Sequence, residues 1–156
     1  MIPINKELTN SVILKAQSSP RRRMNHNFHT DLNDTFQRML NCLEPETYCR
    51  PHKHENPSKR EVFIILSGTA LVVQFDNEGK ITESIVLNNS NGQFGVEIPP
   101  ATWHTIIALE SGTVVFECKD GPYSPANDKD FASWAPAEGD PESLNYTRRL
   151  LENIGL

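Results

Sequence analysis

Between residues 5 and 17 apolar positions recur at helical spacing, with Leu8, Val12 and Ala16 on one face. Asn5 stands where a capping side chain belongs, and Pro20 closes the run. This predicts a short helix. From about residue 37 the period changes. "QRMLNCL", "YCRPHKH", "EVFIILSG", "TALVVQFD", "KITESIVL", "GVEIPP", "WHTIIAL" and "TVVFECK" are short runs rich in β-branched and aromatic residues. Gly, Asn, Asp and Pro separate them, and "EPET" and "DNEG" read as turns. Several runs are apolar on both faces, as strands packed inside and outside are. The pattern predicts a mainly β protein, a single closed antiparallel β-barrel or jelly roll. After it, "GPYSPANDKDFASWAPAEGDP" reads as a loop. A second helix should follow, with Asp140 as its cap and Pro141 in first position. Leu144, Thr147, Leu151 and Ile154 would share its packed face.

The expected organisation is therefore one domain in three stretches: a helix and extended arm over 1–36, the barrel over 37–123, and a loop and helix over 124–156 that pack on the barrel or on a partner subunit. At 156 residues the chain is long enough to bury a core. Apolar residues make up 37% and charged residues 22%, the balance of a globular chain rather than a disordered one. The net charge of −5 argues against nucleic acid or an anionic membrane as partner. No stretch would span a bilayer, and "MIPINKELTNSVILKAQ" lacks the apolar block of an export signal, so a cytoplasmic protein is expected. Cys42, Cys49 and Cys118 form no CxxC pair and read as free structural thiols. There is no nucleophile elbow, P-loop or dinucleotide fingerprint.

Chemistry concentrates in "RPHKHENPSKREVFIILSG", residues 50–68. Side chains alternate along a strand, so Arg50, His52 and His54 should point one way. Glu61 opens the next strand, and Gly68 ends it at a tight turn. "IPPATWHTII" adds His104 just after a Pro-Pro turn. Three neutral imidazoles and a carboxylate suit one divalent transition metal: Zn, Fe, Mn, Ni or Co. Positions left open on such an ion could take water or substrate. The competing reading is a set of surface histidines beside the charged loop "KHENPSK".

His52-x-His54, Glu61 and Gly68 resemble the first motif of the cupins, and Pro99-x-Ala101-x-x-His104 resembles the second. The resemblance implies a small β-barrel with these three His and Glu61 around a metal. Two departures are visible. Six residues separate His54 from Glu61 instead of three or four, and Ala101 stands where Gly is usual. "SPRRR", "YCRPHKH", "EIPPATWHT", "ECKDGPY" and "DFASWAP" together resemble the WbuC-type cupin metalloproteins, a group associated with bacterial surface-polysaccharide gene clusters.

Further residues suggest a ligand site. In "RRRMNHNFH" Arg21, Arg23, Asn25, Asn27 and His29 would share one face of an extended segment, opposite Met24 and Phe28. Two guanidiniums on one face could clamp a carboxylate or phosphate, whereas Arg22 would face solvent. Arg50 should either face the cavity or form an ion pair at its mouth. Glu117 and Lys119 share a strand face with Thr113 and Val115. They would form an internal ion pair, or Glu117 would serve as a general acid or base near the metal. Tyr123 could reach a ligand at the rim, while Trp103 and Trp134 read as packing residues. The expected partner is an anionic or polyhydroxyl small molecule. Apolar outer strand faces also suggest a homodimer. The leading functional expectation is a metal-dependent isomerase or epimerase acting on a sugar derivative. The alternatives are a non-catalytic metal-assisted sugar-binding module and an Fe-dependent dioxygenase.

Overall fold

The computed structural model describes residues 1–156. Helix α1 (Lys6–Ser18) starts at Asn5, whose side chain accepts the Leu8 N–H at 3.0 Å. Val12 and Ala16 are buried and Leu8 packs beside them, as the periodicity predicts. Ten strands follow: β1 (Arg23–Asn27), β2 (Phe36–Leu43), β3 (His52–Lys53), β4 (Glu61–Ser67), β5 (Ala70–Phe75), β6 (Ile81–Leu87), β7 (Gly95–Ile98), β8 (Trp103–Ala108), β9 (Thr113–Asp120) and β10 (Asp130–Phe131). They form two antiparallel sheets of five strands, in the orders β1-β2-β9-β4-β7 and β10-β3-β8-β5-β6.

The two sheets lie face to face as a jelly-roll sandwich. Its core interleaves Leu43, Phe63, Ile65 and Val115 of the first sheet with Ala70, Val72, Ile106 and Ala108 of the second. This is a mainly β architecture of the predicted class, with separate sheet edges in place of a closed barrel. α1 covers the outer face of the first sheet through Leu40, Cys42 and Val114. Helix α2 (Ser143–Ile154) covers the second through Leu71, Val73 and Ile107.

Three local expectations shift. "YCRPHKH" pairs only at His52–Lys53. Pro51 has no N–H to give a ladder, and β8 reaches this segment instead through Thr105, whose hydroxyl donates to the Cys49 carbonyl at 2.6 Å. α2 begins at Ser143, because Asp140 turns the chain first by accepting the Glu142 N–H at 2.8 Å. Its packed face centres on Thr147 and Leu150, with Leu151 and Ile154 at the margin and Leu144 exposed. Cys42 is buried, Cys49 and Cys118 are half-buried, and all three are free thiols. No helix is long and apolar enough to cross a membrane.

Gly68 makes the turn between β4 and β5 with φ of +73°, a conformation that L side chains resist. An added Cβ would stand 2.5 Å from Thr113 Oγ1 and 2.8 Å from Thr113 Cα. Gly68→Ala should therefore destabilise the fold by more than about 2 kcal/mol, combining backbone strain with steric overlap. Urea unfolding measures this; a loss below 0.5 kcal/mol, by the same rough scale, would contradict it.

Candidate metal centre and cavity

β3 and β8 are paired so that His52 lies directly opposite His104. His54 follows β3, and Glu61 opens β4 on the other sheet. The two sheets thus bring His52, His54, Glu61 and His104 to one point, with one ligand atom from each lying within 4.8 Å of the others. All four are at least 95% buried. The six-residue spacing from His54 to Glu61 is absorbed by a turn in which Glu55 bridges Ser58. The motifs are also tied through the backbone, since the Ala101 N–H donates to the His54 carbonyl at 3.0 Å. Ala101 sits at φ +60°, the conformation that glycine would take without strain.

Each imidazole is oriented by a main-chain carbonyl. His52 Nδ1 lies 2.9 Å from the Arg50 oxygen, His104 Nδ1 lies 2.8 Å from the Thr102 oxygen, and His54 Nδ1 contacts the Asp128 oxygen. A carbonyl only accepts, so the ring proton belongs on Nδ1 and the Nε2 lone pair points inward. His52 Nε2 and His54 Nε2 are buried with no hydrogen-bond partner. His104 Nε2 and His54 Nε2 stand 2.9 and 3.5 Å from Glu61 Oε2. Burial drives His52 well below its usual pKa, with Lys129 and His104 adding to the effect. Burial disfavours the Glu61 anion as well, yet positive charge at the His104 and His54 Nε2 positions, helped by Lys119, would hold its pKa well below the ordinary value, as a cation seated there would. Inward lone pairs and a carboxylate in a dry pocket call for a cation at their centre. This donor set could hold a divalent metal, with each ring fixed from behind as metal-binding imidazoles are.

Residues that the sequence reading missed support this cluster. Asp128, whose carbonyl faces His54, places its carboxylate between two buried lysines, Lys59 Nζ at 2.6 Å and Lys119 Nζ at 2.7 Å. Lys59 also donates to the Pro122 carbonyl. The expected Glu117–Lys119 ion pair does not form. Glu117 Oε2 instead accepts from Asn41 Nδ2 at 3.0 Å. Burial first, and the Glu61 charge second, push the Glu117 carboxyl up to about 8. Burial works against a charged Lys119, but Glu61, Glu117 and Asp128 raise its pKa above the usual value. In sequence Lys59 belongs to the charged loop "KHENPSK", and Asp128 carries no signal.

A cavity of about 690 Å³ opens beside His52. Arg21, Arg23, His29, Arg50, Glu117 and Tyr123, all singled out in the sequence, line it, and the alternation of β1 holds. The arginines are already engaged. Glu138 lies 2.8 Å from Arg21 Nε and 2.7 Å from Arg23 Nη2, while Arg23 Nη1 donates to the Tyr48 carbonyl at 2.7 Å. Arg50 makes no ion pair. It donates to the Ala132 carbonyl at 2.6 Å and covers Phe131, 5.5 Å from the ring centre. His29 Nδ1 takes the Arg38 N–H at 3.0 Å, which leaves Nε2 as its free polar atom. The Tyr123 ring lies 5.6 Å from Lys119 Nζ. Trp103 donates to Asn77 at 3.0 Å, and Trp134 packs on Phe75 with ring centres 5.1 Å apart, both outside the cavity.

This sandwich, with its His-Glu cluster between the sheets, is a cupin fold. The chain belongs to the family described as "Domain of unknown function (DUF6016)", whose model matches residues 4–87. No curated protein matches it. Among solved structures it is similar to the capsular polysaccharide assembling protein CapF from Staphylococcus aureus, at 23% identity and TM-score 0.54 over 72% of this chain and 32% of that one. A salicylate 1,2-dioxygenase variant from Pseudoaminobacter salicylatoxidans, bound to gentisate, matches at 14% identity and TM-score 0.59 over 83% and 37%. KdgF from Halomonas sp. matches at 16% identity and TM-score 0.52 over 70% and 87%. The chain thus spans about a third of the length of the first two. At these identities the likeness concerns the fold.

Asp128→Ala should cost about 3–5 kcal/mol, because it strands two buried ammonium groups. Chemical denaturation tests this, and a change under about 1 kcal/mol would show that the lysines find other partners.

Proposed function

We propose that this protein is a metal-dependent enzyme of the isomerase or epimerase type acting on a sugar or sugar derivative. The observation that carries the reading is the convergence of three carbonyl-anchored imidazoles and Glu61 beside a polar cavity that also contains Glu117. In it His52, His54, Glu61 and His104 hold one divalent metal, and when bound the ion supplies a Lewis acid for a substrate carbonyl or a pair of hydroxyls.

Glu117 is the group that moves a proton. Its carboxyl, raised to about 8, sits near neutrality, where a carboxyl can both give and take. Asn41 holds the Oε2 oxygen and so sets the direction of the other. Tyr123 and Phe131 bound the cavity and limit water around the reacting carbon. Arg21, Arg23, His29 and Arg50 contribute to binding an anionic or polyhydroxyl ligand, with the two N-terminal arginines shared with Glu138. The WbuC-type sequence resemblance supports a role in surface-polysaccharide synthesis, as does the fold likeness to a capsular polysaccharide assembling protein.

The test begins with elemental analysis of untagged protein. Wild type should carry near one equivalent of a transition metal, and folded His52→Ala and His104→Ala should lose it. The loaded protein should then exchange a carbon-bound proton of at least one sugar in deuterated water, followed by NMR. Glu117→Gln should retain the metal and slow that exchange by about 100-fold or more. No exchange across a broad panel of sugars and sugar nucleotides would end the enzymatic reading. Iron with ligand-dependent oxygen uptake would replace it with an oxygenase.

A further inference from the structure

The inner face of the first sheet carries polar groups well beyond the cluster. From β4 to β1 the strands run β4, β9, β2, β1. Glu61 faces Lys119 across the β4–β9 pair, Met39 faces Glu117 across the β2–β9 pair, and Asn41 faces Asn25 across the β1–β2 pair. Three interstrand steps separate Glu61 from β1, roughly 14 Å. Asn25, Asn27 and His29 line the cavity on the β1 side, and Asn41 stands between them and Glu117. Asn41 Oδ1 is buried there without a hydrogen-bond partner. Such an orphaned acceptor costs stability unless a donor arrives. His29 offers Nε2 further along the same wall, and Asn25 and Asn27 add two exposed carboxamides between them. Side-chain amides of this kind suit hydroxyl groups, which both give and accept hydrogen bonds.

Size and charge narrow the ligand further. The cavity of about 690 Å³ has room for roughly 23 waters. A single hexose, with about a dozen covalently bonded non-hydrogen atoms that each take roughly half the volume of a water, would fill only about a quarter of it. Charge at the cavity also runs against the chain, which has 15 basic and 20 acidic side chains. The lining includes Arg21, Arg23, Arg50, Lys119 and Lys129 against only Glu117 and Glu138.

The geometry points to an acidic, polyhydroxylated ligand at least two sugar rings long. One ring lies beside His52 and Glu117, and the next rests on Asn25, Asn27 and Asn41. This deepens the sugar reading above and rests on it. The carboxamides of β1 are a second-ring subsite that selects for length, and the surplus cationic charge selects for the acid group.

The experiment is calorimetric titration of the metal-loaded full chain with four probes: galacturonic acid, digalacturonic acid, cellobiose and glucose 1-phosphate. Digalacturonic acid should bind at least about 10-fold more tightly than galacturonic acid and than cellobiose. Glucose 1-phosphate separates the two sources of negative charge and should bind no better than galacturonic acid. The double variant Asn25→Ala, Asn27→Ala alters two exposed edge-strand positions, so fold and metal content should persist. It should cut digalacturonic acid affinity about 10-fold and leave galacturonic acid affinity unchanged. Equal affinity for one and two rings, an unaffected double variant, or no binding of any probe at about 10 mM would overturn the proposal. Because the readout is binding, length selectivity without proton exchange would sink the enzymatic reading alone. Exchange on a single sugar with no gain from a second ring would sink only the subsite.

Discussion

Four polar groups that the fold buries in a space too dry for them impose the main constraint on this structure. His52, His54 and His104 each give their Nδ1 proton to a carbonyl, so three lone pairs and the Glu61 carboxylate face one another between the sheets. Leaving such groups unpaired costs several kcal/mol, of the order of the whole stability of a domain. The sandwich accepts that cost only where something positive can sit. The β3–β8 register, the start of β4 and the Ala101–His54 hydrogen bond all fix the positions of these four groups.

The surroundings of the cluster follow from its charge. Glu61 is an anion in the core, and the nearest compensation is Lys119 on the adjacent strand. Lys119 and Lys59 together would carry too much positive charge, and Asp128 divides itself between them. Glu117 then stands next to an anion it cannot match, and burial and Glu61 leave it close to neutral. Each buried charge is thus set by its predecessor, from the His-Glu cluster outward to the segment between Tyr123 and α2.

Much of this was legible in the chain. Alternation in "RPHKHENP", the Pro-Pro turn before His104 and the Glu61–Gly68 spacing point to the four residues that the fold brings together. The period-2 pattern of "RRRMNHNFH" led to one cavity wall. Local patterns encode such features because neighbouring residues share them. The pairing of Arg21 and Arg23 with Glu138 spans more than 110 residues, and the Lys59–Asp128 contact spans 69. No periodicity reports contacts of that range. "KHENPSK" looks solvated because its composition is polar, and only the fold reveals that Lys59 is 2% exposed. The expected Glu117–Lys119 pair failed for the same reason, since the competing partners come from β2 and from the loop after β9.

Asp128 belongs both to the wall of the molecule and to its centre. The segment from Tyr123 to Asp140 is stitched across the cavity through Asp128, Ala132 and Glu138. Its main-chain oxygen at Asp128 is also what keeps the His54 ring turned inward. Lifting this strap would therefore free His54 to rotate at the moment the cavity opens. Access to the cavity and the aim of one imidazole of the cluster are mechanically joined, because one strap holds both.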